Sequence, residues 1–226
     1  MIYTVLADYG RLDYDLITEG RLFSSFPEGL KSYIQSPSSD EVRVSRLGGY
    51  LLLYRAVRYL FAKEDFEIEF SESGKPFFSG KAGEVKFNIS HSGGLVAVSV
   101  SDDGGEVGCD IQEEVDAERA GRISRRFPTE GLGELASSSP VYIFGAFSAD
   151  GECMFAAIPP SSLKTGDPER IFTDGWSLTE AIVKCHGGGF CRHAEIMSER
   201  SLYSAETVGL SYRGKRFSLS TAVKIK

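Results

Sequence analysis

Phe87 to Gln112 reads FNISHSGGLVAVSVSDDGGEVGCDIQ, and the rest of the chain is organised around it. Val85 to Ile89 reads as a short strand leading to His91, which stands between Ser90 and Ser92 and ahead of a Gly-Gly pair. Leu95 to Val100 alternates with the period of a strand. Ser101 to Gly105 is a polar turn, and Val107 to Ile111 is the next strand. Strand, tight turn, strand is an antiparallel hairpin pattern. Asp110 lies inside the apolar run VGCDI, where a charge is costly unless it is paired or metal-bound.

On the N-terminal side, Ile2 to Ala7 reads as a first strand, and Pro27 to Ile34 as a short helix followed by the loop SPSSD. Asp40 is placed to cap a helix beginning near Glu41. Gly48 to Lys63, GGYLLLYRAVRYLFAK, is apolar on most faces, which predicts a central, mostly buried helix. Phe66 to Phe70 alternates as a half-buried strand, and Ser73-Gly74-Lys75-Pro76 is a turn signal.

On the C-terminal side, Val115 to Phe127 looks helical, with Arg119, Arg122, Arg125 and Arg126 near one face and Phe127-Pro128 at its end. Gly131 to Pro140 reads as a loop, Val141 to Phe147 and Cys153 to Ile158 as a hairpin, and Pro159 to Pro168 as a linker. Trp176 to His186 is a helix whose apolar stripe is Leu178, Ala181, Ile182 and Cys185, stopped by three glycines. Leu210 to Tyr212 and Phe217 to Val223 are strands.

The composition sets bounds. Hydrophobic residues make up 42% and charged residues 25% of the 226, as in a soluble globular protein. A net charge of −7 argues against a general nucleic-acid binder, which needs clustered Lys and Arg, but leaves room for a local basic patch. No apolar run reaches the length of a membrane span, and MIYTVLADYGRLDYD lacks the pattern of a signal peptide. Cysteines 109, 153, 185 and 191 are expected as free thiols in a reducing cytosol, so the chain is expected to be cytoplasmic; it is also expected to be a monomer.

Glu180 and Lys184, four apart on one helix face, form at least a surface ion pair. The neighbouring Trp176 and Gly-Gly-Gly point instead to a ligand or a second backbone coming close. A strand carboxylate and a helix carboxylate together suit Mg²⁺, which keeps several waters and takes one or two protein carboxylates. His91 does not make a hydrolase, because no G-x-S-x-G elbow is present. It is either structural or, with Ser90, Ser92 and the glycines, part of a phosphate-binding turn. Cys185-His186 and Cys191-x-His193 lack zinc-site spacing, and GGGF is not a dinucleotide fingerprint.

The order GKPFF, FNISHSGG, VGCDIQ, RRF and WSLTEAIVKCHGGGF resembles the 4′-phosphopantetheinyl transferases of the broad-specificity, surfactin-synthetase-activating type. That family's pattern runs G-K-P, F-N-[IL]-S-H-[ST], [IV]-G-[IV]-D-[IVL]-E and W-[ST]-x-K-E-[AS]-x-x-K-x-x-G-x-G. The resemblance covers Gly74 to Phe190. It implies an α+β fold of two similar halves related by a pseudo-twofold, each a small antiparallel sheet with a long helix, with the active site between them. The halves are expected at residues 1–106 and 107–226, with an inserted hairpin near 141–158.

The activity it implies is transfer of 4′-phosphopantetheine from coenzyme A to a serine of an acyl or peptidyl carrier protein, releasing adenosine 3′,5′-bisphosphate. The alternative is a coenzyme A or carrier-protein binding module without turnover. A third reading is a metal-dependent hydrolase of nucleotide diphosphates. Residue by residue, the resemblance implies Asp110 and Glu180 as Mg²⁺ ligands, with Gln112 where a second strand carboxylate is usual. Glu180 is also the candidate base, and Lys184 reaches the diphosphate beside His91. Ser90 and His91 match the turn that contacts coenzyme A phosphates, and Lys75-Pro76 lie near the nucleotide. Arg43 and Arg46 lie where basic residues meet the 3′-phosphate. Thr179 stands where a lysine is usual, which removes a cation from the phosphate site.

Overall fold

In the computed structural model, residues 1–63, 67–71, 74–80, 83–127, 135–159, 162–163 and 171–225 are described. Phe66, Ser73, Pro128, the start of the 131–140 loop and most of the 159–168 linker lie outside them.

The alternating N-terminal stretch forms β1 (Ile2–Asp8), the centre of a five-stranded sheet. Its other strands are β4 (Lys86–Ser92), β5 (Leu95–Ser101), β7 (Val141–Phe147) and β8 (Cys153–Ala157), in the order β4-β5-β1-β7-β8. Every pairing is antiparallel except β1 with β7. The β7–β8 hairpin forms as read, and it extends this first sheet even though it falls late in the chain. A second sheet holds β6 (Val107–Glu113), β10 (Lys215–Lys224) and β9 (Tyr203–Tyr212), in that order and antiparallel. The small pair β2 (Glu67–Phe70) and β3 (Pro76–Ser79) stands apart.

The hairpin expected between Leu95–Val100 and Val107–Ile111 does not form. Both edges of β5 are already taken, by β4 and β1, so the acidic turn instead carries the chain across to the second sheet. The actual hairpin is β4–β5. It turns at Gly93 and Gly94, whose φ values of 58° and 91° favour glycine. For the same reason Ser90 to Ser92 is strand, not turn.

The helices are α1 (Tyr14–Thr18), α2 (Arg21–Ser24), α3 (Glu28–Gln35), α4 (Asp40–Phe61), α5 (Ala117–Arg126), α6 (Ile171–His186) and α7 (His193–Ser198). α4 joins in one run the two pieces read from the sequence, and its N-cap is Ser39, not Asp40. Among the described residues, no helix is long and apolar enough to cross a membrane.

The side chains sort these elements into four layers. Val5, Ala7, Val96, Val98 and Ile143 face α4 and share a core with its Leu47, Leu51 and Leu52. On the opposite face of the first sheet, Leu6, Leu95, Ala97 and Tyr142 meet Cys109, Ile111, Val208, Phe217 and Leu219 of the second sheet. The far face of the second sheet packs Tyr203, Ala205 and Ala222 against Ala181, Ile182 and Cys185 of α6. Between the sheets, the buried hydroxyls of Thr4, Ser99 and Thr221 bond to one another, with Thr4 Oγ1 at 2.7 Å from Ser99 and 2.8 Å from Thr221. The result is a mixed α+β fold in which each main sheet carries one long helix.

Candidate active site

Strand β6 points Cys109 and Ile111 into the inter-sheet core, so Asp110, by alternation, faces the other way, toward α6. Gly108 lets the helix come that close. A Cβ there would lie 2.1 Å from the Ala181 carbonyl oxygen and 2.4 Å from the Cys185 nitrogen. Ser177 Oγ on α6 donates to the Asp110 carbonyl at 3.0 Å, fixing the helix against the strand. Sequence reasoning passes over Ser177. The signal was there, since 177, 180 and 184 are three and four apart and share a helix face.

The carboxylate of Asp110 has only 4% of its side chain exposed. Lys184 Nζ lies 2.6 Å from its Oδ1 and 3.3 Å from Glu180 Oε2, so one ammonium bridges the two carboxylates. Ser90 Oγ donates to the same Oδ1 at 2.9 Å and accepts from Lys184 at 3.1 Å. Asp110 Oδ2 is buried and has no hydrogen-bond partner among the described residues. Such an atom is expensive to leave unsatisfied. Desolvation, then the Asp110 charge, raise the pKa of Glu180, and Lys184 pulls it part of the way back. Burial alone would lower the pKa of Lys184, but Asp110 and Glu180 hold it above the ordinary lysine value.

The structure brings together Asp110, Glu180, Lys184 and Ser90. His91 is close enough to feel them: desolvation, then Lys184 and Arg46, lower its pKa, although its ring is exposed. Of the two arginines left open by the sequence, Arg46 is the one whose charge is among the main influences on His91. Arg46 also stacks over Tyr33 at 4.0 Å and donates to the Tyr33 carbonyl at 2.6 Å, where α3 ends. Arg43 is turned to the Pro37 carbonyl and Asp40.

Gln112 is buried two residues along the Asp110 face, and its Nε2 donates to the Glu113 carbonyl at 2.9 Å. Thr179 is fully buried and donates to the Gly175 carbonyl, so its side chain faces the core. Lys75 pairs with Glu106 at 2.7 Å beside Gly187, just past the end of α6. Lys75, Pro76, Phe77, Lys86, Phe87 and Glu106 line a cavity of about 240 Å³ at the start of β4. Lys86 and Glu106 have no counterpart in the sequence reading.

Among the described residues, no group of three or more His, Cys, Asp or Glu is arranged to hold a metal ion. What the site offers is two carboxylates and the unpartnered Oδ2 of Asp110. That set is too small to enclose Ca²⁺ or Zn²⁺ by itself but fits Mg²⁺, which is commonly held by one or two carboxylates together with substrate phosphates.

The chain is similar to the 4′-phosphopantetheinyl transferase AcpT of Salmonella typhi, 46% identical over 149 residues, which is 65% of this chain and 60% of that protein. The AcpT of Salmonella typhimurium strain LT2 is 37% identical over 146 residues, with the same two shares. That of Escherichia coli strain K12 is 35% identical over 122 residues, 54% of this chain and 49% of that protein. No protein-family model matches the chain. These relatives are named as 4′-phosphopantetheinyl transferases, and the mixed α+β layering of this chain is compatible with the fold of that superfamily. The chain spans about 60% of the length of the Salmonella relatives and about half of the Escherichia coli one.

Proposed function

We propose that the protein transfers 4′-phosphopantetheine from coenzyme A to a serine of an apo acyl or peptidyl carrier protein, in the manner of the broad-specificity enzymes of the family. The observation that carries this reading is the buried set of Asp110, Lys184 and Glu180 with one carboxylate oxygen unpartnered. In this reading Asp110 and Glu180 would hold Mg²⁺, with Gln112 two residues along the same strand face as Asp110. Bound there, the ion supplies charge neutralisation of the diphosphate.

The bond formed is from the serine oxygen to the phosphorus that carries pantetheine. The bond broken is from that phosphorus to the bridging oxygen, which leaves on adenosine 3′,5′-bisphosphate. Glu180 takes the serine proton, directly or through a water. Lys184 keeps its charge at neutral pH and stabilises the negative charge that develops on the leaving diphosphate oxygen. Arg46 offers a cation, and the largely neutral imidazole of His91 an N–H donor, to the coenzyme's 3′-phosphate. Lys75, Pro76 and Lys86 offer the wall for its nucleotide. Three residues along β4 separate Phe87 in that cavity from Ser90 at the carboxylates, about 10 Å.

The test is incubation with coenzyme A, Mg²⁺ and a panel of apo carrier proteins, read by intact mass. The expected result is a carrier heavier by one phosphopantetheine. An unmodified panel with coenzyme A retained would indicate the binding module, and coenzyme A cleaved without carrier modification would indicate a diphosphate hydrolase.

A further inference from the structure

We propose that Asn88, Ser90 and Ser92 form a side-chain comb that holds β6, and with it Asp110, in register, so that Asn88 and Ser92 are positioning residues for the site. The part concerning Asp110 rests on the function proposed above. The comb itself does not.

Among the described residues, β6 is an edge strand with one backbone neighbour, β10. In an antiparallel pair, alternate residues turn their N–H groups toward the partner, and the residues between turn theirs away. The amides of Cys109, Ile111 and Glu113 turn away from β10. Cys109 and Ile111 are buried, so water does not serve them, and an orphaned buried N–H is expensive.

Side chains of β4 meet all three. Cys109 N donates to Asn88 Oδ1 at 3.0 Å, Ile111 N to Ser90 Oγ at 3.2 Å and Glu113 N to Ser92 Oγ at 3.0 Å. Both sets advance by two residues, so a strand face and a strand edge interlock with one period. Phe87 and Ile89, on the other face of β4, join the α4 core, so each face of this short strand has its own task. The ends are closed by close contacts. At one end a Cβ on Gly108 would strike α6. At the other a Cβ on Gly93 would lie 2.2 Å from Glu113 Oε2.

Ser90 shows that the comb is not a ligand cradle. A hydroxyl has one donor and two acceptor positions. Its proton goes to Asp110 Oδ1, and it accepts from Ile111 N and Lys184 Nζ, so all three are filled by protein. The hydroxyl ties the comb directly to the carboxylate that β6 presents.

Amide hydrogen exchange on the full chain tests the comb. In Ser92→Ala, the Glu113 amide should exchange about tenfold faster, as for one lost buried hydrogen bond, while Asp110 and Gln112, bonded toward β10, stay within about twofold. Ser92→Thr keeps the oxygen and should restore protection. For the site, Asn88→Leu should lower kcat for carrier modification about tenfold with the coenzyme A KM within about twofold, and Asn88→Asp, which keeps Oδ1, should recover it. If Asn88→Leu does not fold, Ser92→Ala, at the partly exposed end of the comb, carries the same kcat and KM measurement. Unchanged exchange at Glu113, or equal acceleration along all of β6, overturns the comb. Selective acceleration with unchanged kcat overturns the positioning role. A wild-type chain that modifies no carrier overturns the function and the positioning role together, while exchange still decides the comb.

Discussion

α4 and α6 cover the two sheets from outside, and they meet their strands at different depths. α4 lies on the first sheet through side chains: a Cβ on Gly49 would come 2.8 Å from Ile89 Cγ2, the end of a side chain that can turn aside. α6 lies on the second sheet through backbone, with the Gly108 position against the Ala181 carbonyl and the Cys185 nitrogen. The shallow contact leaves room for Leu47, Leu51 and Leu52, and α4 builds a core. The deep contact brings Ser177 and Lys184 within hydrogen-bond reach of Asp110, and α6 builds a site. The candidate site sits where helix and strand come closest.

The largest expected effect breaks the charged side of that comparison. Lys184→Met leaves Asp110 buried without its cation, and a broken buried pair typically costs several kcal/mol. Lys184 keeps 26% of its side chain exposed, so the low end is expected, about 3 kcal/mol by denaturant unfolding. Asp110→Asn added to Lys184→Met should recover most of the loss, because the orphaned charge goes with it. A double variant no more stable than the single one would show that Lys184 acts through packing.

Next comes the depth of the two contacts. Gly108→Ala should cost about 2 kcal/mol or more, because two backbones must separate. Gly49→Ala should cost less than about 1 kcal/mol, because Ile89 can adjust its rotamer. Only the Gly108 variant should also lower carrier modification, since moving α6 moves Glu180 and Lys184. Equal losses of stability would mean that the two helices are seated alike.

Both long helices were legible in the sequence, α4 from an apolar run and α6 from its stripe and glycine stop. So were the carboxylates and the lysine, because a charge in an apolar strand and a Glu-Lys pair one turn apart are local signals. What was not legible depended on partners distant in the chain. Asn88, Ser90 and Ser92 alternate visibly, but nothing local says that their partners are amides 21 residues on. Gly108 looks like any strand glycine until a helix from residue 171 onward arrives. The hairpin reading of β5 and β6 failed because a turn composition marks a reversal without saying which sheet the chain enters. The parallel pairing of β1 with β7 joins residues separated by most of the chain. The Thr179 substitution looked like a lost cation, and only burial shows that the position faces the core.

A smaller effect concerns α5, which buries no residue and exposes Arg119, Arg122, Arg125 and Arg126. Arg122 pairs with Glu118 and is still 56% exposed. Against a chain of net charge −7, this face would suit an acidic carrier helix. Arg122→Glu should raise the carrier KM about threefold and flatten its salt dependence, with the coenzyme A KM unchanged. A wild-type salt response in this variant would move docking to another face.

The smallest effect reads how far the α6 lysine reaches across to the first sheet. The His91 pKa is lowered by desolvation, then by Lys184 and Arg46, with Asp110 and Glu41 acting the other way. A histidine whose folded pKa lies below its unfolded value contributes stability that is fully present above the unfolded pKa, about 6.5, and is lost as pH falls through the folded one. His91→Gln should therefore flatten the stability curve just below pH 6.5, by a small amount because the ring is exposed. In an NMR titration of the imidazole, Lys184→Met should raise the His91 pKa, since a repelling charge goes and Asp110 is left uncompensated. Arg46→Met should raise it less, and Arg43→Met should leave it where it is. A larger response to Arg46 than to Lys184 would reverse the comparison, making His91 part of the α3–α4 surface and not an outpost of the α6 site.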